Sequence, residues 1–88
     1  MSVGEILRLF QKLEMEVREG RDTIASLFVE GRLIIRTRVP HKRGDLKGTL
    51  PHFIRQQMKL NEEEFRLLRQ CKLFREDYVD ILRRKGEL

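Results

Sequence analysis

The 88-residue chain holds a single cysteine, Cys71, so no disulfide can close within it and no multi-cysteine metal site can form. Long apolar runs are missing too. The longest are Leu27-Phe28-Val29 and Leu33-Ile34-Ile35, far below the roughly 20 residues of a membrane-spanning helix. Met1-Ser2-Val3-Gly4-Glu5 has neither a basic stretch nor an apolar one and does not read as a secretory signal. Aromatic residues make up only 7% of the chain and fall at apolar-facing positions, so no stacking platform for single-stranded nucleic acid is evident. There is no phosphate-binding P-loop and no dinucleotide fingerprint. His41, His52 and Cys71 make a poor zinc set, and no metal or cofactor is expected. The sequence is that of one soluble, cytoplasmic domain with no membrane partner.

Negative charge is scarce in one place. The net charge is +5, but residues 31–59 carry eight Lys or Arg against Asp45 alone, while the segments on either side sum to −2. A segregated basic stripe fits a polyanionic partner better than a mixed surface does.

What is present is a change of period along the chain. Ser2 and Glu5 form a capping box, and Val3, Ile6, Leu7, Phe10 and Leu13 follow at helical spacing, predicting a helix over about 3–13. Leu13, Met15 and Val17 then alternate with Glu14, Glu16 and Arg18, as in a strand with one wet face. Glu19 to Asp22 is a turn, Thr23 to Val29 a central strand, and Glu30-Gly31 a two-residue hairpin loop. Residues 32–39 form a third strand, with Leu33, Ile35, Thr37 and Val39 on one face and Ile34, Arg36 and Arg38 on the other. Thr49 is the expected N-cap of a second helix, which carries Pro51 in its first turn and continues through Phe53, Ile54 and Met58. A further helix starts at Asn61 and presents Phe65, Leu67 and Leu68. A last one, over about 75–85, turns Tyr78, Ile81 and Leu82 inward and ends at Gly86. The fold class is α+β: an αβββα order whose three-stranded antiparallel meander packs on helices, plus one or two extra C-terminal helices. The domain spans 1–88, with the αβββα core in 1–60 and a helical extension in 61–88.

The strongest local signal for chemistry is Val39-Pro40-His41-Lys42-Arg43-Gly44-Asp45-Leu46-Lys47-Gly48-Thr49. A basic, glycine-bearing loop runs into a helix start, where free N–H groups and the helix dipole favour anions. Lys42, Arg43 and Lys47 surround that end, and Arg36 and Arg38 extend the charge along the wet sheet face. Contacts of this kind hold phosphate without reading sequence. His41 is a candidate general base, His52 faces loop or solvent in the first turn of the second helix, and Cys71 is expected to be a buried packing residue. A helix-turn-helix is disfavoured, because its second helix would open on Glu62-Glu63-Glu64, which phosphates repel.

On these residues the sequence resembles the HicA toxin family, small ribonuclease-like partners in toxin–antitoxin pairs with a double-stranded RNA-binding-domain-like fold. The resemblance spans about residues 5–68. It is most specific at Arg38-Val39-Pro40-His41, at Gly44 to Leu50 and at Ile54-Arg55-Gln56. The family's catalytic histidine follows a glycine at the start of the second strand; here that stretch reads Gly20-Arg21-Asp22-Thr23-Ile24 and has none. The resemblance therefore implies an RNA-facing surface built from Arg36, Arg38, His41, Lys42, Arg43, Lys47 and Thr49, without the family's chemistry. Duplex RNA, read by its shape and phosphates, suits such a surface. Two rivals follow. One is an mRNA endoribonuclease using His41 in place of the lost histidine. The other is a protein-interaction module, paired with an antitoxin-like protein or with a second copy through an edge strand.

Overall fold

A computed structural model describes residues 1–40 and 48–88. The first helix, α1, covers Val3–Lys12 and starts at Ser2, whose hydroxyl accepts the Glu5 N–H at 3.0 Å. The expected reciprocal half of the capping box is not made. The Glu5 carboxylate instead reaches Arg69, 64 residues along the chain, at 3.0 Å, because a guanidinium is a stronger partner than a backbone N–H. Ile6, Leu9, Phe10 and Leu13 are buried.

The helix ends in a Schellman motif. Met15 N–H bonds to the Phe10 carbonyl and Glu14 N–H to that of Gln11, with Glu14 in the left-handed region at φ 55°. That turn takes up the 13–15 stretch that alternation assigns to the first strand. As a result β1 is only Glu16–Glu19. The other helices close in the same way, with Lys59, Cys71 and Gly86 at the left-handed position.

Strands β2 (Asp22–Val29) and β3 (Arg32–Pro40) complete an antiparallel sheet in the order β1-β2-β3. Glu30 and Gly31, at φ 53° and 78°, make the two-residue connection, both residues taking the positive φ that such turns require. Thr23, Ala25 and Leu27 of β2 lie opposite Val39, Thr37 and Ile35 of β3, and all six are buried on the inner face. The expected inward row of β3 breaks at Leu33. Leu27 pairs with Ile35 but Phe28 pairs with Leu33, so Ile34 is an extra, bulged residue. One inserted residue reverses the side on which its neighbour points, and Leu33 emerges on the outer face at 52% exposure.

Three helices cover the inner face together with α1: α2 (Leu50–Gln57), α3 (Glu62–Arg69) and α4 (Arg75–Arg84). Asn61 caps α3 with the full reciprocal box. Its side chain accepts Glu64 N–H at 2.7 Å and its own N–H donates to the Glu64 carboxylate at 2.9 Å. Ile54, Met58, Phe65, Leu68, Leu73, Tyr78 and Leu82 join the same buried cluster as Ile6 and Phe10. The Tyr78 hydroxyl, within that cluster, donates to the Met58 carbonyl at 2.7 Å. Two packing expectations do not hold. Phe53 is 53% exposed on the outer side of α2. Cys71 is also exposed, because it occupies the left-handed turn after α3 rather than a helical inward position. Among the described residues no helix is long and apolar enough to cross a membrane.

Candidate nucleic-acid interface

All of the helices that contribute to the core lie against one side of the sheet, and the other side bears a row of alternating residues from each strand. Register fixes which side chains meet there. Glu16, Ser26 and Arg36 form one cross-strand row, and Arg18, Ile24 and Arg38 the next. The Phe28–Leu33 pair closes the end near the hairpin. A shallow depression of about 310 Å³ lies among Ser26, Phe28, Leu33, Arg36 and their β1 neighbours. A second, of about 330 Å³, is lined by Ile24, Arg36, Thr37, Arg38 and Gln57.

The charges on this face are not equivalent. Arg38 Nε lies 3.5 Å from the Asp22 carboxylate, and Arg18 Nε lies 3.5 Å from that of Glu16. Arg36 has no ion pair among the described residues. Exposed pairs of this geometry are worth about 0–1 kcal/mol and exchange readily for a phosphate, whereas Arg36 needs no exchange. The strand beneath is held from the side. Gln57 Oε1, at the end of α2, accepts from the buried Thr37 hydroxyl at 2.6 Å and from Arg38 N–H at 3.2 Å. Helix α2 therefore grips β3 between the two arginines and keeps their spacing of two residues, about 6.7 Å along the strand.

The structure brings together Arg36 and Arg38 of the sequence-predicted surface. Thr49 stands at the N-cap position of α2, but its hydroxyl makes no capping hydrogen bond. Pro51 offers no N–H, and Thr49 has ψ 0° rather than the extended conformation that aims a cap inward. Pro51 also reduces the free N–H groups expected at that helix start. His41, Lys42, Arg43 and Lys47 lie outside the described residues. His52, on the first turn of α2, receives Arg55 Nη2 on its Nδ1 at 2.8 Å, and the same guanidinium donates to the Leu60 carbonyl at 2.9 Å. It is a local structural partner of the helix.

Sequence reasoning misses Phe28. The few aromatic residues are expected at core-facing positions, yet Phe28 is 40% exposed on the outer face. The signal is present in the strand, since Thr23, Ala25 and Leu27 are inward and a period of two puts Phe28 outward. Chemically the described face offers three arginines, two carboxylates paired with two of them, one aromatic ring and small polar groups. It carries no histidine, the residue type that moves protons near neutrality. Among the described residues no group of three His, Cys, Asp or Glu side chains is placed to hold a metal ion.

No protein-family model, no curated protein and no solved structure matches the chain. The resemblance to HicA rests on its motif residues alone.

Proposed function

We propose that the chain is a small HicA-like nucleic-acid-binding domain. It contacts RNA phosphates through the outer sheet face and the basic 36–49 stretch, and it lacks ribonuclease chemistry. The observation that supports this reading most is the placement of Arg36 and Arg38 on one uncovered face of β3, with Arg36 unpaired among the described residues. The strand then leads in sequence into His41-Lys42-Arg43. Arginine suits this role because its planar guanidinium stays charged at any physiological pH and matches phosphate with parallel hydrogen bonds. On this reading the protein works in the cytoplasm and Thr49 only sets the start of α2.

The test is a titration of labelled RNA against the protein at two salt concentrations. Binding in the micromolar range or tighter should weaken steeply with salt. The Arg36→Ala/Arg38→Ala and Lys42→Ala/Arg43→Ala double variants should each bind more weakly on any sequence. Their salt slopes should be flatter by about one unit for each phosphate that is no longer neutralised. Salt-insensitive or absent binding by the wild-type protein overturns the reading. Cleavage of the RNA by wild type that disappears in His41→Ala would turn it into the endoribonuclease alternative.

A further inference from the structure

Phe28 is an exposed ring on a strand whose other outward residues are Asp22, Ile24 and Ser26. Its backbone is held firmly. The Arg75 guanidinium at the start of α4 donates to the Phe28 carbonyl at 2.7 Å through Nη2 and to the Leu13 carbonyl at 3.1 Å through Nη1. That clamp covers β2 where it runs past the end of β1, and it fixes the residue that carries the ring. The ring shares its depression with Arg36, which makes no ion pair among the described residues, with the Ser26 hydroxyl, and with the Arg18–Glu16 pair on the β1 side. A rigid apolar ring beside a free guanidinium and a small hydroxyl is the combination that receives a nucleotide: a flat base, a phosphate and a polar base edge.

From this arrangement we infer that the outer face is a subsite for single-stranded RNA. An unpaired base lies on the Phe28 ring against Leu33, and the adjoining phosphate sits on Arg36. The inference rests on the RNA reading above and narrows it, because a base inside a duplex is already stacked on both sides and cannot lie flat on a side chain. Charge favours this occupant by balance, since Arg18, Arg36 and Arg38 outnumber Glu16 and Asp22 on the face and the Arg18 and Arg38 pairs are open to solvent. The large apolar side chains exposed on this face are Phe28 and Leu33, which together offer a platform for one base.

The experiment compares a labelled RNA of about 16 nucleotides without self-pairing, alone and annealed to its complement, on the full chain. Four proteins are used: wild type, Phe28→Ala, Phe28→Leu and Phe28→Tyr, each checked for folding by thermal melting. The wild type should bind the single strand more tightly than the duplex. Phe28→Ala and Phe28→Leu should each lose roughly 5- to 100-fold in single-strand affinity, the loss of one stacked base, with duplex binding unchanged. Phe28→Tyr should stay within about twofold of wild type, because it keeps the π-face. Phe28→Leu matching wild type, or equal losses on single strand and duplex, would overturn the subsite and leave the RNA reading standing. Absence of binding to either RNA would overturn both and leave the face to a protein partner.

Discussion

The two faces of one three-stranded sheet are made by neighbouring residues, and they do opposite work. Leu27 is fully buried and Phe28 is 40% exposed; Ile35 is 2% exposed and Leu33 is 52%. On the inner side apolar residues of four helices close over the strands. On the outer side no helix among the described residues does, and the apolar residues stand among charged ones. Hydrophobicity at a position therefore says little about its task in this protein. The side of the sheet decides, and the side is set by a period of two that a single bulge resets.

That contrast can be broken most sharply at the bulge. Ile35→Lys should unfold the domain at ordinary temperatures, since it leaves an unpaired ammonium in the core. Leu33→Lys should melt within a few degrees of wild type; equal losses in the two variants would mean that the bulge at Ile34 is absent. The next pair is Leu27→Ala, expected to cost about 2–5 kcal/mol through the cavity it leaves, and Phe28→Ala, expected to stay within about 0.5 kcal/mol. Denaturant titration of both variants measures the ratio directly.

A third prediction concerns the covering layer. Tyr78→Phe removes the buried hydrogen bond to Met58 and should cost about 1–3 kcal/mol, as the carbonyl is left without its partner. Burial, with a smaller contribution from the Glu87 carboxylate, pushes the Tyr78 phenol far above its ordinary range. The folded state thus keeps a proton that the unfolded chain releases near pH 10. Stability owed to this group is complete below about pH 10 and falls as the pH rises further. Tyr78 is the only tyrosine, so phenolate absorbance should grow only as the protein unfolds at alkaline pH. Titration of the folded protein near pH 10 would refute the buried placement. The smallest effect is expected on the outer face itself, where Arg36→Ala should leave the melting temperature unchanged while weakening RNA binding.

Most of the fold is legible because its elements carry strong local signals. Ser2, Asn61 and Glu30-Gly31 mark boundaries by their own hydrogen bonds or φ preference, and the helical and alternating periods agree with them. The positions where sequence and structure part share a physical cause. Glu14 and Cys71 occupy left-handed turns usually given to glycine, so nothing in their residue type announces the end of a helix. Leu33 depends on the bulge, a property of how two strands pair rather than of either strand. Glu5 leaves its capping box for Arg69, a partner that only the tertiary fold brings near. For the candidate site, Arg36 and Arg38 can be read from alternation, as can Phe28 once Leu27 is placed inward. The unequal pairing of the arginines cannot, since it depends on cross-strand neighbours.

The Arg75 clamp joins the first quarter of the chain, through Leu13, to the hairpin end of the central strand, through Phe28, from the helix that follows all the other described elements. Order of synthesis then matters. The ribosome delivers α1 and the meander well before Leu68, Tyr78 and Leu82, whose side chains complete the same core. Until those residues emerge, the nascent protein carries a partly uncovered apolar sheet, and the ring on its other side lacks the Arg75 clamp. The outer face therefore acquires its final geometry only when the last helix docks.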